Sequence, residues 1–395
     1  MDDRFRSAAD AILRQVTTSN PRAPGVVAMA GNREGEVYQG AAGVRRIGED
    51  APMTIDSVFA LFSLTKAITA TAALQLFEEG RLDLDAPAKL YAPEIGALQV
   101  LEGFDDAGSP RLRPPNREIT TRTLLLHTAG FGYPYWNPIC KRLADQGQPS
   151  HRGGTKRALM TPLLFDPGER WEYGLGLDWC GIVIEAIVGE RLDAVFEARI
   201  FEPLGMKDTG FVLSDSMRAR RASMHQREAA GVLTPLDSES PADPEVYMGG
   251  GTLSGTAGDY LRFLRMWLRD GAGEGARVLR AETVEMAVRN GLGEMKIKRL
   301  PSFDPALTHE VEFFPGQPKS WGLSFMVNDE PAPTGRPAGS LGWAGLGNLY
   351  YWLDRKNGVA GVWATHIFPF MDPTSVDGFL AFETALYDSL ARGRL

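Results

Sequence analysis

The chain has 395 residues, 44% of them hydrophobic, and 42 Lys and Arg against 50 Asp and Glu give a formal charge of −8. That length and apolar content suffice for one large or two medium domains with a substantial core. The acidic balance argues against nucleic acid as a partner, and five dispersed histidines with no CxxC or HExxH spacing argue against a metal centre, so no cofactor is expected. Cys140 and Cys180 are the two cysteines and read as free thiols rather than a disulfide framework.

The N-terminal segment Met1-Asp2-Asp3-Arg4-Phe5-Arg6 is charged and leads into an amphipathic pattern, Ala9, Ile12, Leu13 and Val16, that predicts a helix. It lacks the apolar block of a signal peptide, and no later run reaches membrane-spanning length, so the expectation is a cytoplasmic protein with no membrane partner. Residues 25–30 and 36–40 flank the turn Asn32-Arg33-Glu34-Gly35 and predict a β-hairpin. Residues 57–62 read as a buried approach to a long apolar helix over 67–77, with Gly80 as its stop signal. From Ser63 to about Phe211 the pattern is one of helices and Pro/Gly-rich loops. Strand signals return over 321–327, 348–353 and 359–365, and a last helix after Asp372-Pro373-Thr374-Ser375 carries Phe379, Phe382, Leu386 and Leu390 toward that sheet. The expected class is α/β of the α+β type. Residues 1–80 and 240–395 build an antiparallel sheet flanked by N- and C-terminal helices, residues 81–239 form a mostly helical region, and the cleft between them is the natural site.

The tetrapeptide Ser63-Leu64-Thr65-Lys66 stands at the start of the long apolar helix. A serine hydroxyl is a poor nucleophile until a base takes its proton, and a lysine three residues later on a helix projects from the same face. A lysine near the buried beginning of such a helix is expensive to keep charged. An unperturbed lysine is neutral in about 0.04% of molecules at pH 7, whereas a pKa of roughly 8 makes about a tenth neutral, at a cost of ~3 kcal/mol from desolvation and the helix dipole. The same four residues also read as a helix cap followed by a snorkelling lysine, and the tetrapeptide alone does not choose between the two.

Further segments join it in order: Gly80-Arg81-Leu82-Asp83-Leu84-Asp85-Ala86-Pro87, Leu125-Leu126-His127-Thr128-Ala129-Gly130, Pro167-Gly168-Glu169-Arg170-Trp171-Glu172-Tyr173, Pro203-Leu204-Gly205-Met206, Gly249-Gly250-Gly251-Thr252-Leu253-Ser254 and Gly342-Trp343-Ala344-Gly345. With these the chain resembles serine hydrolases of the β-lactamase/penicillin-binding-protein type, and most of all the class C β-lactamase-like esterases called family VIII carboxylesterases. The resemblance implies a β-lactamase/transpeptidase-like fold with Ser63 as nucleophile. It puts Tyr173 at the tyrosine of the family's second motif, facing Ser63 and Lys66, with the general base shared between Lys66 and Tyr173. It implies an oxyanion hole from the backbone N–H groups of Ser63 and Leu346, with Gly345 permitting close approach.

Two departures bear on substrate. Trp343 stands where lactamases carry the lysine of Lys-Thr-Gly, and Leu175 where they carry an asparagine; both point away from anionic β-lactams and toward apolar carboxylic esters. Tyr133 and Tyr135, with Trp321 and Trp343, are expected to form an aromatic substrate wall beside Gly345. His127 reads as structural, and the absence of Gly-x-Ser-x-Gly argues against an α/β-hydrolase elbow. The expected activity is a serine carboxylesterase that hydrolyses short-chain or apolar small-molecule esters through an acyl-enzyme. Amide or D-peptide hydrolysis, weak lactamase activity and acyl transfer are alternatives on the same scaffold, and a non-catalytic ligand-binding paralogue is the alternative of another class.

Overall fold

Helix α1 (Asp3–Thr18) buries Phe5, Ala9, Leu13 and Val16, the stripe its sequence period dictates, and lays them on the sheet and on the last helix. The computed structural model describes residues 3–237, 241, 243–323 and 325–393. Met1, Asp2, Ser324 of the strand expected over 321–327, and the region boundary at 239 and 240 lie outside the described residues.

The sheet is mixed in sequence order and antiparallel throughout. Its strands are β1 (Gly25–Asn32), β2 (Glu36–Gly43), β3 (Lys319–Trp321), β4 (Met326–Asn328), β5 (Leu341–Gly345), β6 (Leu349–Asp354) and β7 (Val359–Ala364), in the order β2-β1-β7-β6-β5-β4-β3. The early hairpin β1–β2 thus meets the late strands through the β1–β7 pairing, Val27 opposite Ala364 to Asn32 opposite Val359. Burial on both faces explains why β7 is apolar at every position, and β6 at every position but its last, Asp354, rather than alternating.

Helix α4 (Ala257–Leu268) covers one face, where Tyr260 meets Tyr351 at 5.2 Å between ring centroids. Helix α5 (Pro373–Ala391) covers the other with α1; Phe379 stacks on Tyr350 at 4.8 Å and Phe382 packs against Trp352 and Trp363. The pleat sends Tyr350 and Trp352 to the α5 side and Tyr351 to the α4 side, as a period of two requires. Gly361 is needed here because a Cβ would lie 2.1 Å from the Trp352 ring that covers it.

Helices α2 (Thr65–Glu78) and α3 (Gly176–Val188) pack on each other at the junction of the sheet with the helical region. Helix α2 is buried on nearly every face and stops at Gly80, whose φ of +70° turns the chain away.

Two expectations need correction. Residues 321–327 are not one strand: β3 and β4 are antiparallel neighbours joined by a turn in which the Gly322 N–H donates to Phe325 O. Strand continuation fails because Leu323 N–H donates to Ala287 O and Gly322 lies against that same carbonyl, where a Cβ would come within 2.5 Å. The largely helical middle also contains a hairpin, Val100–Phe104 with Pro110–Arg113. Only its first two residues are buried, so it lacks the apolar alternation that would reveal it in sequence.

Candidate active site

Ser63 sits in a single 3₁₀ turn, Phe62–Leu64, between the short strand Val58–Ala60 and α2. Phe62 immediately before it has φ of +48°, a left-handed conformation that costs a bulky residue on the order of 1–3 kcal/mol and persists only when the surroundings impose it. They do: the Leu61 N–H donates to Leu253 O at 2.8 Å, and the Tyr260 hydroxyl donates to Leu64 O at 3.0 Å. The serine is thereby held partly exposed at the mouth of a helix that is otherwise interior.

Lys66, one turn on, is 1% exposed. Its Nζ donates to Gly250 O at 2.6 Å, to the Tyr133 hydroxyl at 3.1 Å and to Ser63 Oγ at 3.2 Å. Burial pushes its pKa down to about 8, against the opposing pull of the Asp178 carboxylate. After losing one proton it keeps two of those donations and turns a lone pair to the serine.

Tyr173 is buried beside them. Its hydroxyl accepts from Trp343 Nε1 at 2.7 Å and shares a hydrogen bond with Ser63, and Lys66 Nζ stands 4.8 Å from its ring centroid. Burial raises its pKa well above the usual phenol value despite those two hydrogen bonds. A phenol so placed keeps its proton at neutral pH.

The expected aromatic wall divides. Tyr133 and Tyr135 stack at 5.1 Å and line a cavity of about 280 Å³ together with Ser63, Phe62, Met248, Leu346 and Phe368. Behind them a second cavity of about 360 Å³ shares Tyr133, Tyr135, His151 and Arg152 and is completed by Cys140, Leu143 and Leu175. Trp321 lines neither cavity: it is 0% exposed and packs edge-on against Trp343 at 4.7 Å and against His127, behind Tyr173. Trp343 also stands behind the reacting groups, holding the Tyr173 hydroxyl. His127 packs beneath Tyr173 at 4.5 Å with its Nδ1 accepting from Gly174 N–H, and burial holds it neutral.

At the end of β5, Gly345 touches the turn that carries Ser63 so closely that a Cβ would lie 2.5 Å from Leu61 O. The next residue, Leu346, lines the cavity with Ser63. The two residues named for an oxyanion hole therefore line one cavity.

A sequence model of the β-lactamase family matches residues 9–386. The chain belongs to the β-lactamase family. This β-lactamase-family chain is 32% identical to a monacolin J acid methylbutanoyltransferase of Aspergillus terreus over 100% of its own length and 96% of the relative's. It is also 32% identical to a lovastatin esterase of Penicillium rubens, over 92% of each chain. Among solved structures, unliganded simvastatin synthase LovD from Aspergillus terreus superposes with a TM-score of 0.83 at 29% identity, covering 99% of this chain and 100% of that one. The antiparallel sheet with its flanking helices is thus the β-lactamase/transpeptidase-like fold.

One charged residue of this β-lactamase-family site escapes sequence reading. Asp178, in the first turn of α3, is 1% exposed and accepts from Gly250 N–H at 2.8 Å. The signal was there: Asp178 interrupts Gly176-Leu177-Asp178-Trp179-Cys180-Gly181-Ile182, a charge in an interior helix, as Lys66 is in α2.

Proposed function

We propose that this chain is a serine acyl-transferring enzyme that takes an acyl group from an apolar carboxylic ester onto Ser63 and passes it to water or to an alcohol. The observation that carries the reading is the 3.2 Å contact between Ser63 Oγ and a buried Lys66 Nζ at the wall of an apolar cavity. Neutral Lys66 takes the hydroxyl proton as Ser63 Oγ bonds to the ester carbonyl carbon. The tetrahedral oxyanion is held by the N–H groups of Ser63 and Leu346. Collapse breaks the ester C–O bond, and the Lys66 ammonium returns its proton to the departing alcohol, with Tyr173 beside the path. In the second half an incoming hydroxyl loses its proton to Lys66 and attacks the acyl-Ser63 carbonyl.

The acceptor decides between esterase and acyltransferase. Relatives whose names describe an acyl transferase and an esterase match over nearly the whole chain, and both outcomes share every step up to the acyl-enzyme. Apolar residues dominate the side chains around Ser63, which favours a bulky alcohol acceptor competing with water.

A fluorophosphonate probe followed by peptide mapping tests the nucleophile. Adduct on Ser63, absent in Ser63→Ala, is expected; folded protein that takes up no probe would leave a ligand-binding role instead. Turnover of an aryl ester with and without an added alcohol then divides hydrolysis from transfer by product ratio.

A further inference from the structure

Gly250 is gripped from two sides. Its carbonyl accepts from Lys66 at 2.6 Å while its N–H donates to Asp178 Oδ1 at 2.8 Å. A Cβ at this residue would lie 2.6–2.9 Å from the Asp178 carboxyl atoms, so a side chain there would force the carboxylate away. Thr69 Oγ1 donates to Gly249 O at 2.6 Å and completes the clamp. The other Asp178 oxygen, Oδ2, is buried with no hydrogen-bond partner, a costly arrangement for a residue that only fills space.

The titratable groups around Lys66 come from four segments. Tyr133, with His151 and Arg152 beyond it, lies on the cavity side; His127 and Tyr173 lie beneath; Asp178 comes from α3. Burial keeps both tyrosines protonated and both histidines neutral. Among the described residues, Asp178 is the carboxyl group whose charge bears on the lysine.

We propose that Asp178 is a positioning residue for catalysis: joined to Lys66 through Gly250, it is the buried counter-ion that stabilises the ammonium formed when Lys66 takes the Ser63 proton. The inference rests on the Ser63 acyl-enzyme reading. In that step the Ser63 O–H bond breaks, a Lys66 N–H bond and the Ser63 O–acyl bond form, and the new positive charge faces Asp178 until the proton passes to the leaving alcohol. Asp178, pushed up to about 6 by burial, carries its charge at neutral pH. Removing that charge makes Lys66 a weaker base that is neutral at lower pH.

Asp178→Asn keeps an oxygen for the Gly250 N–H and removes the charge. The rate of Ser63 labelling by a fluorophosphonate and kcat/KM for a neutral aryl ester, each followed from pH 5 to 10, should show an acid limb moved down by about one pH unit and a plateau lowered about tenfold. A packing role alone would lower the melting temperature and leave the limb in place. Wild-type protein that is not labelled at any pH sinks the acyl-enzyme reading; a labelled wild type with an unmoved limb in Asp178→Asn sinks the counter-ion alone. Reciprocity supplies a second readout on a different variant. In Lys66→Met, isotope-edited infrared spectroscopy should detect a protonated Asp178 carboxyl band at pH 7 that wild type lacks, and identical spectra in the two proteins overturn the proposal.

Discussion

In the proposed reaction Lys66 combines two demands that oppose each other: it must be neutral to accept a proton and positively charged afterwards. With its pKa at about 8, the sign of the pH dependence follows directly. The active form is deprotonated, so kcat/KM for a neutral ester should rise tenfold per unit up to about pH 8 and level off above it. A profile flat from pH 6 to 9 contradicts a lysine base. Ser63→Ala and Lys66→Met should each lower kcat/KM at least about a thousandfold, read by initial rates on protein of unchanged circular dichroism. Trp343→Phe keeps an aromatic ring but deletes the donor to Tyr173; a loss in kcat of about tenfold with little change in KM is expected if that hydrogen bond orients the phenol.

Elements position these groups through backbone contacts that tolerate no added atom. Gly345→Ala places a methyl 2.5 Å from Leu61 O and must push β5 off the nucleophile turn, so activity should fall at least tenfold while the melting temperature changes little. The opposite pattern is expected far from the site, where Arg336 donates twice to Glu383 of α5 at 2.9 and 2.7 Å and both side chains are buried. Breaking that pair with Arg336→Ala leaves an uncompensated carboxylate and should cost about 3–5 kcal/mol of stability, measured by denaturant unfolding. Such differences also explain what sequence reveals. The hairpin β1–β2, helix α2 with its Gly80 stop, strands β6 and β7, and helix α5 announce themselves by local period and turn chemistry. The break between β3 and β4 depends on the Ala287 carbonyl, more than 30 residues away, and no local pattern encodes it.

At the scale of the whole molecule, the site forms where a sheet strand, the start of α2, α3 and the loops of the helical region converge, so motif order in sequence outlines it well. Ser63, Lys66, Tyr173 and Tyr133 are brought together as expected, whereas Trp321 lies out of reach because its strand runs behind Tyr173. Asp178 belongs to no spaced motif, and the charge that interrupts an apolar helix is its one trace in the sequence. The stacked pair Tyr133 and Tyr135 divides two chambers of about 280 and 360 Å³. Of the two rings only Tyr133 is tied to Lys66, so the other parts the chambers without holding the lysine. Cutting Tyr135 back to alanine would knock two rooms into one, letting the enzyme admit longer or branched acyl chains while its proton-transfer apparatus stays where it is.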